Sequence, residues 1–137
     1  MFDEKTRALL EQPLVARLAV NGPDGYPHVV PIWYMLDGEE IVMVTHSTAA
    51  KVRLLRANPK AGVTIGGDVA DLANGIYHTG YLILGLVTIE PDDDFAWLRR
   101  MAYRYDSPEQ AEKDLALWTQ EAQTVLRLRP EKIIKVM

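Results

Sequence analysis

The sequence predicts a mainly β protein with inserted helices (α+β), in which six or seven antiparallel strands form a closed or partly closed barrel. Three observations lead to this prediction. Short runs of β-branched and aromatic residues are separated by turn residues along most of the chain. A few segments instead repeat apolar residues at the helical period. The length of 137 residues, with 48% hydrophobic residues, fits one domain with its own core. A sandwich also fits the number of strands, whereas the helices argue against an all-β immunoglobulin-type domain.

The composition narrows the classes of function. The net charge is −4, and the Lys and Arg residues are scattered, so a nucleic-acid partner is not expected. The absence of cysteine excludes disulfides and thiolate metal sites, and the three histidines lack the spacing of metal ligands. No stretch approaches the roughly 20 apolar residues of a membrane span, and the charged N-terminus does not resemble a secretory signal. We therefore expect one cytoplasmic domain over residues 1–137, with no metal and no membrane partner.

The first half of the chain predicts a short helix followed by a three-stranded meander. In chain order these elements are a helix over Glu4–Leu10 and strands over Val15–Val20, His28–Leu36 and Ile41–Thr45. Two turn signals connect the strands, at Asn21–Gly25 and at Asp37–Gly38. Pro31 cannot donate a ladder hydrogen bond, so its strand should have an edge or a bulge there.

The second half alternates helices and strands. We expect a helix over Thr48–Ala57, with Ser47 or Thr48 as its N-cap and Asn58–Pro59 as its stop. The remaining expected elements are a strand over Lys60–Gly66, a loop over Asp68–Asn74, a long strand over Tyr77–Glu90, helices from Pro91 to about Tyr105 and from Ser107 to about Glu121, and strands over Thr124–Leu128 and Ile133–Val136. Gly85 interrupts the long strand and predicts a bend or bulge.

Polar residues cluster where the third strand ends and the next helix begins. They are Thr45, His46, Ser47, Thr48 and Lys51. The start of a helix directs unpaired N–H groups outward and favours an anion, while hydroxyl groups and a lysine add hydrogen bonds and charge. The residues alone leave two interpretations open. Either this segment holds a phosphate, or Ser47 or Thr48 only caps the helix and Lys51 is solvated.

The order of motifs from Leu18 to Ile65 carries a family resemblance. An L-A strand is followed by a D-G-x-P-x-V hairpin, a V-P-I-W-Y strand, and T-x-x-x-x-x-K leading into a helix that ends in N-P. This arrangement resembles the pyridoxamine 5'-phosphate oxidase-like superfamily of split barrels of the FMN-binding type. The resemblance implies a homodimer with the flavin at the subunit interface. It also implies that the backbone of Val30, Pro31, Ile32 and Trp33 contacts the flavin ring, and that Thr45–Lys51 holds the phosphate.

The sequence also departs from the true pyridoxamine phosphate oxidases. Those enzymes carry R-x-V-L-L-K where this chain has Val30–Met35, and S-R-K where it has Ala49–Lys51. Their C-terminal Arg-rich substrate motif is missing as well. The departures indicate a divergent member that does not oxidise vitamin B6. The P-x-W-Y and K-x-x-x-L-x-x-N-P features also resemble the branch that uses the deazaflavin F420.

The expected function is an FMN-dependent oxidoreductase that acts on an unidentified small molecule. An F420H2-dependent reductase on the same fold is the first alternative, and a non-enzymatic module that binds flavin or haem is the second. Trp33 could flank the cofactor ring or belong to the core. His28 and His46 could act as acid or base near a flavin, but the sequence identifies no catalytic residue.

Overall fold

The computed structural model describes residues 1–67, 70–71, 76–77 and 79–136. Its helices are α1 (Glu4–Leu10), α2 (Ala50–Ala57), α3 (Ala96–Tyr105) and α4 (Pro108–Trp118). Its strands are β1 (Val15–Asn21), β2 (Pro27–Asp37), β3 (Glu40–His46), β4 (Lys60–Gly66), β5 (Ala70–Asp71), β6 (Ile76–Tyr77), β7 (Gly80–Pro91) and β8 (Gln123–Lys135). Within these described ranges, no helix has both the length and the apolar character that a membrane crossing requires.

Six strands close into an antiparallel barrel in the order β1-β2-β3-β8-β7-β4, while β5 and β6 pair separately. The alternation of side chains along a strand sends every second residue inward. Fully buried side chains from several strands meet there, among them Leu18, Tyr34, Ile41, Val63 and Leu126. The predicted antiparallel barrel with inserted helices is therefore confirmed.

Strand β2 pairs with a different neighbour in each part of its length. Its first part, Pro27–Trp33, pairs with β1, and its last part, Tyr34–Asp37, pairs with β3. Pro31 consequently lies where β2 has one strand neighbour, which confirms the edge that its missing N–H predicted. The barrel is split between β2 and β3 at this end.

The start of α2 differs from the prediction. The helix begins at Ala50 with Ala49 as N-cap, and no side chain caps it. The Ser47 hydroxyl instead lies 2.7 Å from the hydroxyl of Thr124 on β8, because β3 continues to His46 and keeps Ser47 beside the barrel. The prediction that Ser47 or Thr48 caps this helix is wrong.

Three other boundaries differ for identifiable reasons. Strand β7 continues to Pro91, and α3 begins only at Ala96 because the buried carboxylate of Asp92 accepts hydrogen bonds from the N–H groups of Trp97 and Leu98. The two terminal strands form one strand, β8, whose Pro130 pairs with Gly85 at a shift in register. That shift confirms the irregularity predicted at Gly85.

Two further expectations fall on the segment before β7. Most of the loop expected over Asp68–Asn74 lies outside the described residues, and Ala70–Asp71 within it is a short strand. The long strand expected from Tyr77 begins at Gly80 instead, and Tyr77 belongs to β6.

Helices α3 and α4 pack against the outside of the barrel beside the split. Their contact residues Leu98, Ala102, Ala111 and Leu115 form a second apolar cluster, against which Val44, Phe95 and Trp118 pack. In β8, Thr124, Val125, Leu126 and Leu128 are buried within the chain. The large apolar residues of Val30–Tyr34 and Thr124–Leu128 predict a sheet face that a second copy of the chain covers. For Thr124–Leu128 this prediction is wrong, because the chain itself covers Val125, Leu126 and Leu128.

Candidate functional site

A cleft of about 230 Å³ opens at the split between β2 and β3, next to α3 and α4. It is lined by Pro31, Ile32, Trp33, Val44, Thr45, His46, Lys51, Leu98, Met101, Trp118 and Gln123. A second hollow of about 400 Å³ continues from it along β2 and shares Pro31, Ile32, Trp33 and Trp118. Together the two spaces form one groove along the outer face of β2.

Most of the residues that the sequence pointed to lie together at this groove. Pro31, Ile32, Trp33, Thr45, His46 and Lys51 line the cleft itself. Val30 lies in an adjoining hollow that also contacts Lys51. Ser47 and Thr48 do not line any of these spaces, since Ser47 bonds Thr124 and Thr48 is exposed.

The backbone of β2 presents polar groups to the groove. The hydroxyl of Tyr105 accepts a hydrogen bond from the Tyr34 N–H (3.1 Å) and lies within bonding distance of the carbonyl oxygens of Tyr34 and Leu14. Since Leu14 immediately precedes β1, Tyr34 directs its backbone groups toward β1. Backbone groups of successive residues point to opposite edges of a strand, so the carbonyl of Pro31 and the N–H and carbonyl of Trp33 point to the edge away from β1. At that edge β3 pairs with β2 only from Tyr34 onward, so these groups have no strand partner. This strand edge can bond the polar edge of a planar ligand.

Two aromatic rings, Trp33 and Trp118, line the groove, and a third, Tyr105, packs on Trp33. Trp33 stacks on Tyr105 with ring centroids 4.5 Å apart and an interplanar angle of 5°. Trp118 meets Trp33 edge-on at 5.9 Å. Trp33 is half-buried, so it supports the packing of α3 and α4 and still faces the cleft. The arrangement offers a rigid apolar surface to a flat ring system.

Lys51 and the start of α2 form the electropositive end of the cleft. Lys51 is the second residue of an uncapped helix, and burial lowers the pKa of its ammonium group. It makes no ion pair with any residue that the structure describes. The cation is half-buried and has no carboxylate partner, and the neighbouring N–H groups of the first helical turn lack a side-chain cap. Such an arrangement is suited to hold a phosphate.

His46 also lines the cleft and has a carboxylate partner. Its Nδ1 is 2.9 Å from Oε2 of Glu121 and 3.1 Å from Nε2 of Gln123. Sequence reasoning found no carboxylate for this histidine. His28 likewise has one, with its Nε2 3.6 Å from Oδ1 of Asp24, but it lies in the β1–β2 hairpin and does not line the cleft.

Five residues that line the cleft were not predicted as site residues. These are Val44, Leu98, Met101, Trp118 and Gln123. Four of them are apolar or aromatic residues whose spacing is that of any packed element, so the sequence carried no signal for them. Gln123 is the first residue of β8, one residue before the predicted start at Thr124, and the apolar pattern does not include it.

Comparison with known proteins identifies the family. The sequence model described as pyridoxamine 5'-phosphate oxidase matches residues 2–137. The chain belongs to the pyridoxamine 5'-phosphate oxidase family. The resemblance inferred from the motifs is therefore confirmed, and the barrel has the flavin-binding oxidoreductase-type fold of that family. No curated protein matches the sequence.

Solved structures share the fold of this chain. An F420 reductase is 27% identical to the chain, with a TM-score of 0.74 and coverage of 97% of this chain and 98% of that one. A conserved hypothetical protein of Mycobacterium tuberculosis is 21% identical, with a TM-score of 0.71 and coverage of 98% and 84%. A FAD-binding protein of Mesorhizobium loti is 21% identical, with a TM-score of 0.66 and coverage of 97% and 92%.

Proposed function

We propose that this member of the family is an oxidoreductase that binds a flavin-type cofactor with a phosphorylated ribityl chain, either FMN or F420, in the groove along β2. The observation that carries the proposal is Lys51, a half-buried cation without an ion pair in the described residues, at the uncapped start of α2. An anion beside it would replace the hydration that burial removes. The phosphate shared by FMN and F420 is such an anion.

The other parts of the groove suit the remainder of this cofactor. The free edge of β2 at Pro31 and Trp33 would bond the polar edge of the ring, and the aromatic rings of Trp33 and Trp118 would shield one end of it. When bound, the cofactor supplies two-electron redox chemistry, while the protein orients it and excludes water. The substrate would then be a small apolar molecule that fits beside Leu98 and Met101.

Two observations favour F420 over FMN. The F420 reductase shares 27% of residues with the chain over almost the whole length of both. A single lysine also suits the singly charged phosphodiester of F420 better than the doubly charged phosphate of FMN. Titration of the purified protein with each cofactor, followed by fluorescence, would decide between them. Failure of both to bind at micromolar concentration would contradict the proposed function.

We also propose that the protein works as a homodimer. An apolar row crosses the outside of the barrel through paired residues of four strands, Val29, Ala19, Gly62 and Leu84. Val29 and Leu84 are exposed by 57% and 37%, and a hollow of about 390 Å³ lies beside the small residues between them. Through a twofold axis, a large residue at the end of one row could fill the hollow of the other. Val29 shares the outer face of β2 with Pro31 and Trp33, so a second copy would also cover the groove.

Substitution of Leu84 by Arg is expected to separate the dimer. The wild type should sediment at twice the 15.4 kDa of one chain, and the variant as a single chain, because a buried unpaired charge opposes association. Leu117→Arg is the control, since Leu117 is an exposed leucine on α4 outside the row. A wild type that sediments only as one chain at micromolar concentration would contradict the homodimer.

The protein is not expected to oxidise pyridoxamine phosphate at a useful rate. Val30–Met35 contains no basic residue. Among the described residues that line the cleft, the basic side chains are Lys51 and the imidazole of His46. With the cofactor already using Lys51, a second phosphate would have no cation to bind. Product formation from pyridoxamine phosphate is measured with FMN supplied. Sustained turnover would show that the departures from the enzyme motifs do not determine the substrate.

A further inference from the structure

His46 is held at the edge of the cleft by two neighbours with opposite hydrogen-bonding roles. Glu121 can only accept from the ring, and its Oε2 lies 2.9 Å from Nδ1. Gln123 donates its amide N–H to the carbonyl of Trp118 at 2.9 Å, which turns the same NH2 group toward Nδ1 at 3.1 Å. Both neighbours of Nδ1 therefore come from the segment between α4 and the start of β8. Nε2 has no hydrogen-bond partner in the part of the chain that the structure describes.

We propose that Nε2 of His46 donates a proton to the substrate that is reduced in the cleft, a role that rests on the proposed function. His46 lines the cleft, and a histidine ring can carry the proton near neutral pH. Glu121 orients the ring through Nδ1 in both protonation states, so the ring need not rotate when Nε2 releases its proton. A carboxylate and a histidine in this relation act as a positioning residue and an acid.

The proton completes a reduction that a hydride alone leaves unbalanced. A substrate with a polarised carbon–carbon double bond would accept a hydride from the reduced flavin-type cofactor at one carbon. The electron pair of the broken π bond would take the proton from Nε2 at the other carbon. The substrate gains two electrons, the cofactor loses two, and His46 becomes neutral until solvent protonates it again.

The surroundings of the cleft point to His46 for this task. The charged groups at the cleft, within the described residues, are Lys51 on α2 and Glu121 in the turn before β8. Lys51 is assigned to the cofactor phosphate, and a carboxylate on its own would repel the electron-rich intermediate. Neighbours from β2, β3 and α3, among them Trp33, Thr45 and Met101, carry no charge. An exposed ion pair contributes at most about 1 kcal/mol to folding, so both partners can be replaced without loss of the fold.

The first experiment needs no cofactor. Nuclear magnetic resonance of the ring nitrogens in mildly alkaline buffer reports which nitrogen of a neutral histidine carries the proton. We expect Nδ1 to be protonated in wild-type His46, and Glu121→Ala to move the proton to Nε2 because Gln123 then remains as the partner of Nδ1. The resonances that disappear in His46→Gln identify the His46 ring. The same tautomer in wild type and Glu121→Ala would overturn the role of Glu121 in positioning the ring.

The second experiment follows the reduction of cyclohex-2-en-1-one by the holoenzyme with reduced cofactor. General acid catalysis contributes about 100-fold or more, so His46→Gln should lower the rate about 100-fold when both proteins are saturated with cofactor. Arg56→Ala, on the exposed side of α2, should leave the rate unchanged. An unchanged rate in His46→Gln would overturn the role of His46 as proton donor and leave the proposed cofactor binding intact. A cofactor-loaded wild type that does not reduce the enone would have the same consequence. A wild type that binds neither FMN nor F420 would overturn the proposed function and this role with it.

Discussion

Replacement of Lys51 by alanine is expected to weaken binding of the cofactor by roughly 10- to 150-fold. The substitution removes one charge-assisted contact to the phosphate, which contributes about 1.5–3 kcal/mol when it is partly shielded from water, and this free energy corresponds to the stated change in dissociation constant. The fold should barely change, because alanine is favourable in a helix and Lys51 is only half-buried. Fluorescence titration at fixed salt measures the effect.

Arg56→Ala is the matched control for this substitution. Arg56 lies on the same helix, carries the same charge and is exposed in the last turn, away from the cleft. The Arg56→Ala protein should bind the cofactor with the affinity of the wild type. Equal losses in both variants would show a general electrostatic effect, and no loss in Lys51→Ala would mean that the phosphate lies elsewhere.

Replacement of Gly85 by alanine is expected to destabilise the barrel by about 3 kcal/mol, at the upper end for an overpacked site. Gly85 faces Pro130 at the register shift between β7 and β8. A Cβ atom added there would overlap the carbonyl oxygen of Arg129, and it would lie 2.9 Å from the carbonyl carbon of Arg129 and 3.1 Å from Cα of Pro130. Because these are backbone atoms, no side chain can rotate away, and the two strands must separate. Unfolding in denaturant measures the loss.

Gly22→Ala serves as the control for this position. The Cβ added at Gly22 would meet only the ends of the His28 and Asp24 side chains, which are exposed and can move. Its free energy of unfolding should stay within about 1 kcal/mol of the wild type. A Gly85→Ala protein as stable as Gly22→Ala would show that the bulge tolerates a side chain.

The strands and their order along the chain were predictable because local chemistry defines them. Turn residues such as Asp37–Gly38 and alternating apolar residues act over a few positions, and the structure follows them. Boundaries that depend on distant partners were not predictable. Ser47 looks like a helix cap in sequence, but Thr124, far along the chain, takes its hydroxyl. The two predicted terminal strands form the single strand β8 for a similar reason, since Pro130 between them pairs with the distant Gly85.

The part of the candidate site that comes from one continuous segment of the chain was predictable. Residues from Val30 to Lys51 are close in sequence, and the family motifs mark them. The second half of the site comes from α3, α4 and β8, which reach the cleft by folding over the split in the barrel. Glu121 and Gln123 are ordinary surface residues in sequence, and their role beside His46 appears only when β3 and β8 pair.

The central claim is that the cleft holds a phosphorylated flavin-type cofactor through Lys51. The most direct measurement compares the affinity of the wild type for a cofactor and for its counterpart without phosphate: FMN against riboflavin, and F420 against the corresponding ribityl deazaflavin. We predict that one of the two phosphorylated forms binds at least about 10-fold more tightly than its counterpart, and that Lys51→Ala removes most of this difference. Equal affinity for the forms with and without phosphate in the wild type would contradict the account.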